Sequence, residues 1–312
     1  MEIKRDYGRV GVLMGGPSSE REISLKSGNA VFSALLGLGI DAVAIDITSA
    51  DRAAVESLIG SQKIDRAFIA LHGCFGEDGQ IQQLLEGMRI PYTGSGPAAS
   101  RSALDKESSR SVFIKHGLPV PECVICRRGR DLPYQAILSL GFPVVVKPAT
   151  QGSSIGLSII DTQEELQPAL SAAFGYDEKV LAEKYVKGRE LTVSVLGGKA
   201  LPVIEIVTKR RFFDFEAKYQ QGLTEYIAPA RLDPGIARRC QELAVACHRA
   251  LGCGGCSRTD MIMDDSGAIF LLETNAIPGL TATSLLPKAA KLEGMDFPGL
   301  CLTLLDSAYE KK

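Results

Sequence analysis

Four charged or polar side chains stand in an apolar stretch, and their spacing could hold a cation or a charged substrate. The stretch SRTDMIMDDSGAIFLLETNAIPG has two apolar runs separated by the turn residues 264–267, which is typical of a β-hairpin. Side chains two positions apart share one face of a strand, so Arg258 faces the same way as Asp260, and Glu273 the same way as Asn275. If paired positions have residue numbers with an odd sum, all four side chains lie on one face. Burying such charges without partners is very costly.

The oxygen atoms of this set suit a magnesium ion. Mg²⁺ prefers hard oxygen ligands and is usually held by one or two carboxylates together with substrate phosphates. Asp260, Glu273 and Asn275 supply such a set. A structural network in which Arg258 pairs with the carboxylates explains the hairpin alone equally well.

A second segment has the composition of a phosphate-binding loop. In VVVKPATQGSSIGLS, Lys147 ends a buried strand, and a loop with Gly152, Ser153, Ser154 and Gly156 follows. Small residues let backbone N–H groups approach phosphate oxygens, and the lysine adds a positive charge. A plain Gly/Ser turn between strands is the alternative. The Walker pattern is absent, so ATP would have to bind by another architecture. The dinucleotide fingerprint is also absent, which argues against a Rossmann-type dehydrogenase. Together with the hairpin, the loop favours a site for a metal–nucleotide complex.

The first third of the chain alternates between strands and helices. The predicted strands cover residues 9–14, 41–47 and 66–73, and the predicted helices cover residues 24–38, 53–59 and 80–89, followed by a loop at 91–100. This alternation predicts parallel βαβ units. Ligands bind at the carboxyl ends of such strands, which here are the loops at 15–20 and 72–78.

Two further modules follow. The second begins near residue 105, with predicted strands at 122–128, 142–148, 157–162 and 179–186. The third begins near residue 188, with strands at 189–197 and 200–207, a polar loop at 208–228, a helix, the hairpin and two final helices. The fold class is therefore α/β, and α+β in part, with expected domains at 1–104, 105–187 and 188–312.

The bulk composition limits the classes of function. Hydrophobic residues make up 45% and charged residues 23% of the 312 residues, as in ordinary soluble globular proteins. A net charge of −2 argues against binding to nucleic acid or to an anionic membrane surface. No apolar run reaches the length of a membrane span, and the first residues do not resemble a secretory signal. We therefore expect a cytoplasmic protein.

The eight cysteines are scattered through apolar segments and are expected to be reduced thiols. C-x-x-C pairs occur at residues 123–126 and 253–256. A zinc site needs four converging ligands, and the adjacent Cys247 and His248 point in different directions on a helix, so we expect no zinc site there. His116 and His248 are assigned to helix surfaces.

The motifs together resemble the D-alanine–D-alanine ligase family of ATP-grasp enzymes. The resemblance covers nearly the whole chain and is carried, in order, by GGPSSEREISLKSG, ALHGCFGEDGQIQ, PYTGSG, the DK at residues 105–106, KPATQGSSIGLS, EAKY, SRTDMIMD and LLETNAIPGLTATSLLP. The departures are small: Cys256 and Ser257 stand where bulkier residues or glycine are expected, and Thr259 stands where an aliphatic residue is usual. These departures leave the charged positions untouched.

The resemblance implies a three-domain ATP-grasp fold with an N-terminal parallel α/β domain, and ATP gripped between the other two domains. It implies the ligation of two D-alanine molecules to D-alanyl-D-alanine by way of a D-alanyl phosphate, for peptidoglycan synthesis, by a homodimer. It also implies a set of residues that contact ATP: Lys106, Lys147, Ser154, Glu183, Lys184, Glu190 and Lys218. Among these, Glu190 would bind the ribose, and Glu183 would lie on the adenine side of the cleft. Mg²⁺ or Mn²⁺ would be held by Asp260, Glu273 and Asn275.

The same resemblance assigns roles around the first D-alanine. Glu20 would bind its ammonium group, and His72 would line its pocket. Ser153 and Tyr219 would form hydrogen bonds with Glu20 and so close the loop 208–228 over the site. A bland role for Glu20 is that of an acidic residue at a helix N-terminus.

The remaining assignments concern the second step of the reaction. Arg258 and the backbone N–H of Gly279 would stabilise the oxyanion of the tetrahedral intermediate. Ser284 and Leu285 would receive the carboxylate of the second D-alanine at a helix start. The alternative for Ser284 is a helix cap, and both roles are compatible.

Two other functions compete with this one. A catalytically silent nucleotide-binding protein of the same fold predicts the loss of a metal-binding or phosphate-binding residue, and the sequence has lost none. An ATP-grasp ligase that joins D-alanine to another acceptor is disfavoured by the first motif and by EAKY. ADP release that depends on D-alanine distinguishes the first alternative, and a panel of acceptors distinguishes the second.

Overall fold

The computed structural model describes residues 6–208 and 224–309. Lys218 and Tyr219 lie outside the described residues, so their assigned roles stay predictions. No helix within the described ranges combines the length and the apolar character needed to cross a bilayer.

The first sheet is parallel and has the order β2–β1–β3. Its strands are β1 Val10–Gly15, β2 Ala42–Ile47 and β3 Arg66–Ile69. The connecting helices are α1 Arg21–Gly37 and α2 Arg52–Ser61, and α3 Gln80–Gly87 follows β3. Parallel neighbours require such crossovers, and β1 is buried along its whole length because it is the central strand. The βαβ units expected from the sequence are present, and the carboxyl ends of β1 and β3 lead into the loops that carry Glu20 and His72.

The segment expected to be a loop at 91–100 differs in the structure, because α4 Pro97–Leu104 begins inside it. Proline at the first helical position has a φ angle suited to the helix and lacks only an N–H group that would be unpaired there anyway. The next helix, α5 Lys106–Lys115, begins at once, with Asp105 as an N-cap that accepts hydrogen bonds from the N–H groups of Glu107 and Ser108. Asp105 thereby fixes the start of the helix that carries Lys106.

The second sheet has four antiparallel strands in the order β4–β7–β5–β6. They are β4 Cys123–Arg127, β5 Val144–Pro148, β6 Ser158–Ile160 and β7 Lys179–Lys184. The helices α6 Tyr134–Ser139 and α7 Leu166–Phe174 share a buried apolar cluster with this sheet. The phosphate-loop candidate connects β5 to β6.

The third sheet has the order β11–β10–β8–β12–β13, with β9 paired to β8. Its strands are β8 Gly188–Leu196, β9 Lys199–Ala200, β10 Ile204–Thr208, β11 Thr224–Ile227, β12 Cys256–Asp264 and β13 Ile269–Asn275. The long helix α8 Pro234–Ala250 packs on its apolar face. The hairpin expected from the sequence is formed by β12 and β13.

The two final helices, α9 Leu285–Leu292 and α10 Phe297–Tyr309, share a core with the first sheet. Leu300 and Leu304 of α10 belong to the same buried cluster as Val31 and Leu35 of α1, and the Tyr7 hydroxyl donates to Asp306 at 2.6 Å. The three sheets lie within the three expected segments 1–104, 105–187 and 188–312, and the domain bounds themselves stay predictions.

Candidate active site

The register of the hairpin brings its four polar side chains to one face. Arg258 pairs with Asn275 and Asp260 with Glu273, so the sum of the paired residue numbers is odd, as the shared face requires. Residues directly opposite each other in an antiparallel pair project to the same side. The register shifts at a β-bulge between Asp260 and Met261, so this pairing does not extend beyond Asp260 and Glu273.

Arg258 and Asp260 form a bidentate ion pair on this face. Arg258 Nε donates to Asp260 Oδ1 at 2.9 Å, and Nη2 donates to Oδ2 at 2.8 Å. The Thr192 hydroxyl also donates to Oδ1, at 2.6 Å. The structural network considered for the hairpin therefore exists, and it holds Asp260 in one orientation although the residue is only 7% exposed.

Glu273 has a cationic partner from another domain segment. Lys106 Nζ lies 3.2 Å from Glu273 Oε2 and donates to the Gln151 carbonyl at 2.7 Å. The Glu273 side chain is 29% exposed, so it faces the open space beside the hairpin. Lys106 thus connects the hairpin carboxylate to Gln151, directly before the loop at 152–156.

The donor chemistry of this face fits a magnesium ion. Asp260 and Glu273 provide carboxylate oxygens, and Asn275 provides an amide oxygen that already accepts from the Ile277 N–H at 2.9 Å. That bond fixes the orientation of the amide and leaves a second lone pair on its oxygen. Hard oxygen atoms of this kind are the ligands that Mg²⁺ prefers.

A first cleft lies between the second and third sheets. Its walls include nearly all of the residues expected to contact ATP, namely Lys106, Lys147, Ser154, Glu183, Lys184 and Glu190. Asp260 and Glu273 also line it, and Ile159, Ile262 and Leu272 are apolar members of its wall. A cleft with apolar walls and several charged groups can hold a base and its phosphates.

Glu183 is buried in this cleft and is not a solvent-exposed charge at a strand end. It is 2% exposed, and its Oε2 lies 2.7 Å from Lys147 Nζ. The pairing of Val145 with Glu183 brings β5 and β7 together at this point. Sequence reasoning could not fix the partner, because a strand end gives no information about which strand lies beside it.

The loop at 152–156 has a strained backbone. Ser153 and Ser154 have φ angles of 51° and 58°, a region that side chains other than glycine seldom adopt. Such conformations cost of order 1–3 kcal/mol and persist where the surroundings impose them. Gly152 lies against the Glu20 carboxylate, where an added Cβ would stand 3.2 Å from Oε2.

This loop is expected to become more ordered when a nucleotide binds. If its N–H groups close over phosphates, amide hydrogen exchange across residues 152–156 slows when an ATP analogue and Mg²⁺ are added. The exposed hairpin turn at 264–267 is the internal control and keeps its exchange rate. Unchanged exchange in the loop, together with slower exchange in another segment, would assign phosphate binding to that other segment.

A second cleft is lined by other side chains of the same hairpin face. Glu20, His72, Ser153, Arg258, Asn275, Gly279, Ser284 and Leu285 all line it, and so do Lys106 and Glu273 of the first cleft. Ser153 donates a hydrogen bond to Glu20 Oε1, which is the contact expected from the sequence. The structure therefore brings together every described residue that was assigned to D-alanine.

Two partners of His72 were missed by the sequence analysis: Glu77, which lines this cleft, and the buried Ser27. His72 Nδ1 lies 3.2 Å from Glu77 Oε1, and its Nε2 lies 3.1 Å from the Ser27 hydroxyl. The Leu280 N–H in turn donates to Ser27 Oγ at 3.3 Å. Burial raises the pKa of the Glu77 carboxyl above its ordinary value. This series of contacts connects the first sheet to the loop after β13. Only His72 and Glu77, which lie in one short motif, gave a signal in the sequence.

Ser284 is the N-cap residue of α9 by position, but its side chain does not cap the helix. Its hydroxyl instead accepts from the Thr281 N–H at 3.1 Å and lies 2.8 Å from the Thr281 hydroxyl. The helix-cap alternative is therefore wrong for the side chain. A Cβ added at Gly279 would lie 2.9 Å from Ser284 Oγ, so glycine permits this close approach.

None of the eight cysteines lines either of the two clefts, and His248 does not line them either. His248 is buried, with Nδ1 2.8 Å from the Ser257 hydroxyl, so its assignment to a helix surface is wrong. The apolar side of α8 faces the third sheet, and burial lowers the pKa of this imidazole. Burial also raises the pKa of the Cys247 and Cys256 thiols to about 12. Among the described residues, no three His, Cys, Asp or Glu side chains converge to hold a metal ion.

Comparison with known proteins gives the same family from both halves of the chain. A family model described as D-ala D-ala ligase C-terminus matches residues 112–306, and one described as D-ala D-ala ligase N-terminus matches residues 49–95. The D-alanine–D-alanine ligase of Trichlorobacter lovleyi is 48% identical over 97% of this chain and 96% of its own. That of Geobacter sulfurreducens is 47% identical over 97% and 95%.

Solved structures agree with the sequence relatives. The Bacillus anthracis D-alanine–D-alanine ligase complexed with ATP superposes with a TM-score of 0.85 at 33% identity, and another structure of that ligase has a TM-score of 0.87 at 36% identity; each covers 97% of both chains. The fold and the two clefts meeting at one hairpin define an ATP-grasp enzyme. Within that class, the chain belongs to the D-alanine–D-alanine ligase family. The family and the fold expected from the sequence are confirmed.

Proposed function

We propose that the chain uses ATP to join two D-alanine molecules into D-alanyl-D-alanine, for peptidoglycan precursor synthesis. The single observation that carries the proposal is that the two clefts meet at Lys106 and Glu273. A nucleotide in the first cleft and amino acids in the second would therefore have their reacting ends at the same place. The relatives of known name and the ATP-complexed structure support the same substrates.

The first step joins two anions, so the site must neutralise negative charge. A carboxylate oxygen of the first D-alanine attacks the γ-phosphorus of ATP, and ADP leaves with the electrons of the broken P–O bond. Lys106 and Lys147 line the nucleotide cleft and offset the charge of the phosphates. A divalent ion on Asp260, Glu273 and Asn275 supplies further positive charge when it is bound. The product is a D-alanyl phosphate.

Glu20 and its partners orient the first D-alanine in this scheme. Its carboxylate binds the ammonium group, and the Ser153 hydroxyl holds that carboxylate in place. Because Ser153 belongs to the loop at 152–156, ordering of the loop over phosphates also orders the amino-acid site. Nucleotide binding and substrate binding are thereby coupled through one hydrogen bond.

The second step is attack by an amine on the acyl carbon. The nitrogen lone pair of the second D-alanine forms the peptide bond, the tetrahedral oxyanion develops, and phosphate leaves as the amine loses its proton. Arg258 and the Gly279 N–H are proposed to stabilise the oxyanion. The start of α9 at Ser284 and Leu285 is proposed to bind the carboxylate of the second D-alanine, because helix N-termini favour anions.

A coupled assay of ADP release over a panel of D- and L-amino acids tests the proposal. We expect ADP release that depends on D-alanine and on Mg²⁺ or Mn²⁺, with D-alanyl-D-alanine as the product. Tight ATP binding without D-alanine-dependent ADP release would instead identify a catalytically silent member of the fold.

The acceptor is expected to be an amine rather than a hydroxyl. Ligases that make D-alanyl-D-lactate resemble this family but usually carry histidine at the position that matches Tyr219, and a protonated histidine repels an ammonium group. Tyrosine is neutral at pH 7 because its unperturbed pKa is about 10. With D-alanine and D-lactate offered together between about pH 6 and 9, across the titration range of histidine, we expect dipeptide to dominate. Dominant D-alanyl-D-lactate at any pH in that range contradicts this role for Tyr219.

The assembly is a prediction from the family resemblance, and the compartment is a prediction from the sequence. We propose a homodimer, which light scattering of the purified protein checks, and a cytoplasmic location, where ATP is available.

A further inference from the structure

Two buried cations lie on one face of α5, and of these Lys106 lines the nucleotide cleft, whereas Arg110 lies behind Glu183 of its wall. Lys106 and Arg110 are one helical turn apart, and each is only 7% exposed. Lys106 extends to the phosphate-loop candidate, whereas Arg110 extends toward Glu183. Arg110 Nη2 donates to the Pro121 carbonyl at 2.5 Å, and its Nη1 lies 3.8 Å from Glu183 Oε1. No role in the reaction scheme above uses Arg110.

The guanidinium of Arg110 is not fully satisfied. Its Nη1 is buried and has no hydrogen-bond partner among the described residues. Leaving such a buried donor unpaired is unfavourable, and more so when the group is charged. Glu183 is equally buried, and its contact with Lys147 is an ion pair without an aligned hydrogen bond. One buried carboxylate therefore lies between a close lysine and a more distant arginine.

The nucleotide-bound state changes this balance. The reaction scheme needs the positive charge of Lys147 on the phosphates, so Glu183 shares its closest cation with the triphosphate. A buried carboxylate without a cation is strongly unfavourable. Arg110 is the other cation within 4.0 Å of Glu183 among the described residues, and its bond to Pro121 holds it in place.

We propose that Arg110 is a positioning residue that selects the base of the nucleotide by holding Glu183 charged and oriented in the cleft. A carboxylate accepts a hydrogen bond from the 6-amino group of adenine and repels the 6-oxo group of hypoxanthine or guanine. Without Arg110, the Glu183 carboxylate stays paired with Lys147 or rotates out of the cleft, and the preference for adenine over a 6-oxo purine weakens. This inference rests on the proposed function, because it assumes that the first cleft holds a nucleoside triphosphate.

The test compares ATP with inosine triphosphate, which has the 6-oxo group. For Arg110→Met we expect the KM for ATP to rise about tenfold and the ratio of kcat/KM values for ATP and inosine triphosphate to fall about tenfold, the size of one lost hydrogen bond to a charged group. The KM for D-alanine stays within about twofold, since no part of the second cleft is altered. Arg110→Lys keeps the charge and recovers part of the ratio.

Arg127→Met is the matched control. Arg127 is an exposed arginine on β4 that donates a hydrogen bond to Glu107 of α5 at 2.6 Å. It does not line either cleft. The ratio of its kcat/KM values for ATP and inosine triphosphate is expected to equal that of the parent protein. A purely structural role for α5 would instead change the two arginine variants alike.

A double-mutant cycle shows whether Arg110 acts through Glu183. In a Glu183→Gln background, Arg110→Met is expected to cause no further loss of base selectivity. Fully additive losses, or an unchanged ratio in folded Arg110→Met, overturn the inference. If Arg110→Met does not fold, the same ratio measured in Arg110→Lys decides, and an unchanged value there overturns it.

Failure of the proposed function is measured separately. If the parent protein shows no D-alanine-dependent ADP release, dissociation constants for the two nucleotides are measured by calorimetry in the same variants. A parent preference for ATP that falls in Arg110→Met supports the inference even then, and an equal preference in both proteins overturns it.

Discussion

Glu273→Gln is expected to lower the rate of ligation about a thousandfold, the scale of losing a preorganised charge at a phosphoryl-transfer site. Glutamine has nearly the same shape but no charge, so it weakens the proposed hold on the divalent ion. It also removes the anion that lies 3.2 Å from Lys106 Nζ. The side chain is 29% exposed, so the amide can be solvated and the fold is expected to persist.

The measurement is ADP release, with circular dichroism and thermal unfolding as controls for folding. Asp265→Asn makes the same chemical change on the exposed turn of the same hairpin and is expected to keep parent activity. Activity of folded Glu273→Gln close to that of the parent would remove Glu273 from the metal site. A lowered apparent affinity for Mg²⁺ in the variant supports the assignment independently of the rate.

Glu20→Gln is expected to raise the KM for the first D-alanine about a hundredfold, because a hydrogen bond between charged partners contributes up to about 3 kcal/mol. Glu20 lies in the second cleft, at the carboxyl end of the parallel sheet, and accepts a hydrogen bond from Ser153. The substitution removes the charge that pairs with the ammonium group but keeps an oxygen for Ser153.

Glu22→Gln is the control for Glu20→Gln. Glu22 lies in the first turn of the same helix and is exposed to solvent. If Glu20 acted only on the helix dipole, both substitutions would change stability by similar small amounts and leave the KM for D-alanine unchanged. An altered KM for ATP with a normal KM for D-alanine would place Glu20 outside the amino-acid site.

The family and the outline of the fold could be predicted because their signals are local in sequence. The alternation of strands and helices follows from hydrophobic periodicity, and the shared face of Arg258, Asp260, Glu273 and Asn275 follows from the twofold repeat of a strand together with the turn length. The register confirmed that geometric argument. Where local signals were weak the expectations were wrong, as for the helix α4 and for His248, whose burial depends on which side of α8 meets the sheet.

The sequence by itself determined which side chains could bind a cation, a phosphate or an amino acid. Only the tertiary structure decided how they are joined, because each joining contact connects residues far apart along the chain. Lys106 reaches Glu273, Ser27 meets both His72 and the backbone of Leu280, and Arg110 approaches Glu183. A contact between distant residues depends on the packing of whole elements, which periodicity within one element does not specify. The charges that share a hairpin could be read from spacing, whereas their partners were fixed by the way the three sheets and the final helices pack together.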